Sequence, residues 1–446
     1  MASIHARLAR VKDDPGTLID PAVLEASCAQ AGHRWRERTL GPRVTLESMA
    51  LQMLHGNAAI SHVVRLAGGG FSESAYCQAR ARVPVCVVRE QLRAFTRRCG
   101  AGRGRWKGRR VALIDGTGVS TPDTRELRGH LGVAGGLPQG RGLPCAKVLA
   151  VFDAHDGVLL DMRIAPICTG DLRHAPDLHP CLRRGDVLVG DRGLCSYTHL
   201  AQLFQAGCHG LFRMPSCRAM PFPARSRRRR YHNRHHRCEP VLLDHVTPDD
   251  QIVELIKPHN RPPTMTPQAF AAIPARLRVR AVRYSVKQKG FRTRKIVLLT
   301  TLTDKKKYSA KDLADLYLMR WRVEVNLRHL KRTLGLDRLK CWTVEGVTRE
   351  ALMLALIYNA VCHTRALAAA AQGTEPVRLS FIDALRALRV AIQHERIVLP
   401  PTPHLKLWPL RPPRTRPRKL KRAHCDYGVD AKGRLACALL KMKRAN

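Results

Sequence analysis

The chain has 446 residues, with 78 Lys and Arg against 35 Asp and Glu, a formal net charge of +43. At about 150 residues per domain this length predicts about three domains, and the 45% hydrophobic content excludes global disorder. A positive surplus of this size calls for a polyanionic partner, with nucleic acid ahead of an anionic membrane.

Residues 1–20 mix charged and apolar positions and carry no signal-peptide pattern. The apolar run 351–358 is followed by Asn359, His363 and Arg365, too short and too polar to span a bilayer. Fifteen cysteines, an odd number without a CxxC pair, read as reduced thiols rather than a disulfide scaffold. A cytoplasmic protein without a membrane partner is expected.

In chain order, residues 1–100 read as an all-α domain. Helical spacing covers 45–54 and 57–66, Gly68–Gly70 interrupt it, and Ser72 caps a helix that Pro84 ends. Helix, glycine turn and helix, with Gln78, Arg80 and Arg82 on the second member, admit a helix-turn-helix reader or two packed helices. A Gly-rich basic stretch over 100–110 follows. Residues 101–214 then alternate: strands at 110–115, 147–153, 158–164, 186–191 and 210–214, and helices at 172–183 and 197–206. A mixed sheet with helices packed on it is expected, an α/β fold.

Residues 215–305 read as β-rich, with strands at 240–244, 251–256, 276–286 and 294–302 after an Arg- and His-rich run at 225–237. Strand period two puts Arg276, Arg278 and Arg280 on one face, favouring DNA backbone contact over a merely solvated edge. Residues 306–395 return to helix at 311–334, 348–370 and 380–393, and 396–446 form a basic, Pro-rich tail. Cys208, Cys217, His232, His235, His236 and Cys238 could hold a structural zinc, but no CxxC or regular HxxxH spacing supports it.

Two carboxylates, Asp115 and Asp191, stand where apolar strands are expected to end, the usual place for a site in an open α/β sheet. In the helix over 311–334, Tyr317, Arg320, Glu324 and Lys331 lie at offsets 0, 3, 7 and 14. At about 100° per residue they share an arc of about 60°. Arg328 lies on the same stripe. One helix face thus presents a phenol, a guanidinium, a carboxylate and an amine, which fits the wall of a site better than a surface of simple i,i+4 pairs.

Asp115 in IDGTGVSTPDT, Asp191 in LVGDRG and the series Tyr317, Arg320, Glu324, Lys331 resemble the three signatures of the IS4-type DDE transposases of insertion sequences. The intervals of 76 residues from Asp115 to Asp191 and 133 from Asp191 to Glu324 also suit that family. The resemblance implies an RNase H-like mixed sheet flanked by helices, with a β-strand insertion at 215–305. It implies that Asp115, Asp191 and Glu324 bind two Mg²⁺ or Mn²⁺ ions, whose hard-cation chemistry suits carboxylate oxygens. Tyr317, Arg320 and Lys331 would hold transposon-end phosphates, with Arg192 and Arg328 as further DNA contacts. Cleavage at transposon ends and transfer of the freed 3′-OH into target DNA is the implied activity. The implied partners are double-stranded DNA, as terminal inverted repeats and target, and a second copy of the chain on paired ends, in a bacterial nucleoid. A catalytically silent, transposase-derived DNA-binding protein is the alternative. Some family members stack a flipped base on a Trp of the insertion; 215–305 has no Trp, and Phe222, Tyr231, Phe270, Tyr284 or Phe291 are the alternatives for that place, which leaves hairpin and direct strand transfer both open.

Overall fold

The computed structural model describes residues 18–36, 39–99, 105–135, 142–215, 240–286, 294–393 and 405–407. The chain opens with five helices: α1 (Pro21–Gln30), α2 (Pro42–Leu54), α3 (Ile60–Leu66), α4 (Glu73–Arg82) and α5 (Val85–Arg98). Their starts follow from local chemistry. Asp20 caps α1 by accepting from the Ala22 and Val23 amides, and Ser72 caps α4 by accepting from Ala75. Gly68, Gly69 and Gly70 adopt φ of +81°, +77° and +89°, a run that only glycine makes without strain, and this turns the chain from α3 into α4. Of the expected readers on α4, Gln78 and Arg82 are exposed. Arg80 instead turns inward, donating to Gln52 Oε1 at 2.8 Å and to the Cys341 sulfur.

A mixed sheet flanked by helices follows, as expected. Its strands are β1 (Val111–Ser120), β2 (Cys145–Asp153), β3 (Leu159–Pro166), β4 (Val187–Gly190), β5 (His209–Arg213), β6 (Val241–Thr247), β7 (Asp250–Ile256), β8 (Arg276–Val286) and β9 (Arg294–Thr300). Between them lie α6 (Arg125–Leu131), α7 (Asp171–His174), α8 (Tyr197–Gln205) and α9 (Pro267–Ala272). The order across the sheet is β3-β2-β1-β4-β5-β9-β8-β7-β6. β1, β2 and β3 pair antiparallel, β1-β4-β5 parallel, and β9 joins β5 antiparallel. The strands at 241–300 therefore extend the central sheet rather than build a second layer.

Two sequence expectations change here. β1 does not end at Asp115: it pairs with β2 as far as Ser120↔Cys145, while its parallel pairing with β4 stops at Leu113↔Val189. Asp115 thus sits in mid-strand, just past the end of the parallel pair. The helix expected over 172–183 is only one α-turn, α7, continued as a 3₁₀ segment Ala175–Cys181. Pro176 and Pro180 remove the amides that an α-helix would need.

Four helices close the fold: α10 (Ala310–Leu318), α11 (Trp321–Arg328), α12 (Val344–Ala371) and α13 (Phe381–Gln393). The continuous helix expected over 311–334 is broken at Met319–Arg320, and α11 runs into a π-helical turn, His329–Thr333. α12 has 28 residues and is long and apolar enough to cross a membrane by length and composition, but 78% of its apolar window is buried against the protein. It serves as the core helix. Asn359 pins it from inside, accepting from Leu159 N at 2.8 Å and donating to Leu159 O and Thr96 Oγ1. Those bonds satisfy a fully buried amide and tie α12 to β3 and α5 at once.

Candidate active site

β1, the β4 exit and α11 bring Asp115, Asp191 and Glu324 together. Asp115 projects from mid-β1 toward α11. Asp191 is the first residue after β4, and its Oδ1 accepts from Gly193 N at 2.8 Å, capping the short 3₁₀ turn 192–194. Gly190 allows this exit: a Cβ there would lie 2.9 Å from Leu194 Cδ1, 3.0 Å from Phe212 Cε1 and 3.1 Å from Ile114 Cγ2. Glu324 stands in the first turn of α11.

Arg320 links two of the three carboxylates. Its guanidinium lies 3.5 Å from Asp115 Oδ2 and donates to Glu324 Oε1 at 2.8 Å. Burial pushes the Asp115 carboxyl up to about 6. The Gly116 amide and Arg320 pull it down, while the nearby charges of Asp191 and Glu324 push it further up. Tyr317 lies beside Arg320, and burial raises its phenol. Lys331, carried by the π-helical turn, donates to the Gly118 carbonyl and reaches Thr117 Oγ1 at 3.4 Å. Arg320 and Lys331 therefore reach β1, with Glu324 and Tyr317 beside Arg320, although the helix carrying them is interrupted twice.

The other sequence candidates divide. Arg192, Arg328, Arg276 and Arg278 are exposed, with Arg276 held by Glu254 at 2.6 Å. Arg280 is corrected: it is buried, paired to Asp250 through both carboxylate oxygens at 2.8 and 2.5 Å, and donates to the Tyr308 carbonyl. Strand alternation assigned it to the basic face, but over 279–282, in the middle of β8, both faces are covered. Cys208 is a buried thiol donating to the Arg183 carbonyl, and the rest of the Cys/His series, 217–238, lies outside the described residues. So do Phe222, Tyr231 and Phe291. Phe270 packs under Lys257, and Tyr284 comes beside Tyr317.

Sequence reasoning missed Arg213 at the end of β5, whose charge acts on both Tyr317 and Tyr284. It also missed the ion pair of Lys147 and Asp171, 2.8 Å apart, whose carboxylate lies against Gly116. Neither belongs to a local motif; only the sheet order brings them in.

Asp115, Asp191 and Glu324 offer hard oxygen atoms of the kind that suit a divalent cation. Among the described residues, no three His, Cys, Asp or Glu side chains yet surround one point closely enough to hold an ion. The cationic Arg320 bridges Asp115 and Glu324 instead.

Residues 106–360, more than half of the chain, match the family described as the transposase DDE domain. The matched span contains Asp115, Asp191 and Glu324. Among solved structures, the fold is similar to a piggyBac transposase in a synaptic complex with hairpin DNA. That match has 10% identity, covers 88% of this chain and 80% of that one, and has a TM-score of 0.43. No curated protein sequence matches. The chain belongs to the transposase DDE domain family.

Proposed function

We propose that this protein is the DNA transposase of an IS4-type insertion sequence, with β1 to β5 as an RNase H-like core, and that it cleaves DNA at the element's ends and transfers the freed 3′-OH to target DNA. The observation carrying this reading is the meeting of Asp115 and Glu324 at Arg320, with Asp191 near enough for its charge to act on Asp115, inside the span that matches the family. Asp115, Asp191 and Glu324 would hold two Mg²⁺ or Mn²⁺ ions. Such ions supply Lewis acidity to the attacking and leaving oxygens of an in-line phosphodiester displacement.

The remaining work falls to the chain's own groups. Arg320 neutralises the carboxylates and, released from Glu324, offers a planar fork to a phosphate. Tyr317 orients Arg320 from one side, and Lys331 adds a point charge at the end of β1. Arg192, Arg328, Arg276 and Arg278 extend the positive track along which DNA would lie. Two copies on paired ends are the proposed assembly, with terminal inverted repeats as the recognised DNA and residues 18–99 as the helical DNA-binding part.

The test is a cleavage assay on DNA spanning the ends of the element that encodes this chain, with Mg²⁺, with EDTA and with Asp191→Ala. Nicking at a defined end that needs both the metal and Asp191 is expected. Tight end binding without cleavage under all three conditions would overturn the enzymatic reading and leave a DNA-binding protein.

A further inference from the structure

The helical N-terminal part contains a cleft of about 650 Å³ between the segments 33–36 and 39–42 and α4. Its walls carry His33, Arg34, Trp35 and Arg36 on one side and Gln78 and Arg82 on the other. No carboxylate is among the described residues lining it. The glycine run at 68–70, with three consecutive left-handed residues, turns the chain into α4 at its edge, where Gly70 and Phe71 line the cleft.

Two features of the cleft address two parts of one ligand. Trp35 is 45% exposed although it lines a cavity. His33 stacks on it, with centroids 5.9 Å apart and planes 26° apart, and a Cβ at Gly41 would lie 3.8 Å from its Cδ1. Its indole is therefore braced and partly open, as a stacking platform must be. Arg34 and Arg36 flank it in sequence, and Arg82 faces it from α4, where its Nη2 donates to Gln78 Oε1 at 2.9 Å. That bond fixes the Arg82 fork and leaves it further N–H donors to offer. A flat apolar surface framed by arginines matches a base joined to a phosphate. The volume suits a single small ligand, not a duplex.

We propose that this cleft binds one unpaired nucleotide, its base stacked on Trp35 and its phosphate held by Arg82 with Arg34 and Arg36, supplied by a single-stranded stretch of DNA. The inference rests on DNA being this protein's partner but not on the carboxylate chemistry. The same chemistry would accept a free nucleotide, and the test separates the two sources.

The experiment uses the full chain in EDTA, so that no strand is cut. Fluorescence polarisation follows labelled oligothymidylate and, separately, a labelled blunt duplex. Trp35→Ala is expected to weaken oligothymidylate binding about ten-fold, Arg82→Ala several-fold, and Trp35→Phe far less, with blunt-duplex binding falling by a clearly smaller factor in each. Thymidine monophosphate displacing oligothymidylate from the wild-type chain would assign the cleft to free nucleotides as well; failure to displace it assigns the cleft to the strand. Unchanged oligothymidylate affinity in both Trp35→Ala and Arg82→Ala would overturn the proposal. So would an equal loss on the blunt duplex in Arg82→Ala, an exposed helix position where folding is not at stake. Duplex binding that is absent from the wild-type chain would instead count against the DNA partnership itself.

Discussion

Arg280 and Arg320 each meet acidic side chains on the same sheet, and the two meetings have opposite character. Arg280 and Asp250 are matched one to one, with side chains 1% and 5% exposed, two direct bonds and a carbonyl taking a further N–H. Arg320 serves two carboxylates, Asp115 and Glu324, at 20% to 33% exposure, with Asp191 adding negative charge nearby. The first is a closed account of charge in the interior between β7 and β8. The second leaves excess negative charge facing solvent, an imbalance that a bound cation would complete.

The largest expected effect separates the two pairs by activity and by stability. Asp115→Ala, Asp191→Ala and Glu324→Ala should each lower end cleavage by about a thousandfold or more while leaving end binding largely intact. Cleavage surviving in all three would remove the metal-binding role. Asp250→Ala should do the reverse: it strands a buried guanidinium and should cost about 3–5 kcal/mol of stability in urea unfolding. Asp115→Asn should leave stability equal or higher, because burial and two like charges already disfavour the Asp115 carboxylate. A large stability loss in Asp115→Asn would show that the Arg320 pairing is structural after all.

Gly190→Ala gives the next effect. Its Cβ would meet three side chains at 2.9–3.1 Å, two of them from neighbouring strands, so the β4 exit must shift. Overpacking of this kind typically destabilises by about 1–3 kcal/mol. The displaced group is Asp191, so cleavage should fall further than stability alone accounts for. Normal cleavage at a temperature where the variant is folded would show that the position of Asp191 is not critical.

These contrasts also show what was legible in the sequence. The carboxylates and their strand–helix setting were, because each sits in a local pattern: an apolar run into DGTG, another into GDRG, and helical spacing around Glu324. Arg280 was not, because period two gives a face but not what covers it, and its cover comes from Tyr308, 28 residues on. Asp115 is expected at a strand end because the apolar run 111–114 stops there and Gly116 and Gly118 break the pattern. In the sheet they continue β1 along β2, and it is β4 that stops short. The breaks at Met319–Arg320 and His329–Thr333 follow no glycine or proline within those residues, so helical periodicity alone could not locate them. Arg213 and Lys147 enter the site only through strand order, which one sequence does not encode locally.

Buried imidazoles extend the contrast to groups without any countercharge. Burial lowers His179 to about 3 and His199, His209 and His329 to about 4. Below about pH 6.5 the unfolded chain protonates these rings while the folded chain keeps them neutral. Their contribution to stability is complete above that pH and is lost as pH falls toward 4, by about 1.4 kcal/mol per pH unit for each net proton. Asp115 and Asp153, both raised by burial, act in the opposite sense and offset part of the loss. The urea midpoint should therefore be lower at pH 5 than at pH 7. An equal or higher midpoint at pH 5 would mean that these rings take up protons in the folded state.

The smallest effect concerns the exposed arginines next to Arg280. Arg276 and Arg278 project from the same strand face, but Arg276 is held by Glu254 at 2.6 Å. A phosphate that approaches Arg276 must compete with that carboxylate, whereas Arg278 has no salt bridge of that kind among the described residues. Each phosphate neutralised releases counterions and adds about 0.9 to the slope of log affinity against log salt. Arg278→Ala should thus lower the slope for duplex binding by about one, and Arg276→Ala by less. Arg280→Ala should leave the slope unchanged, since its charge is spent on Asp250, and should show instead as lost stability. A full unit lost in Arg280→Ala with stability intact would place that guanidinium on DNA and erase the distinction drawn between the two arginines.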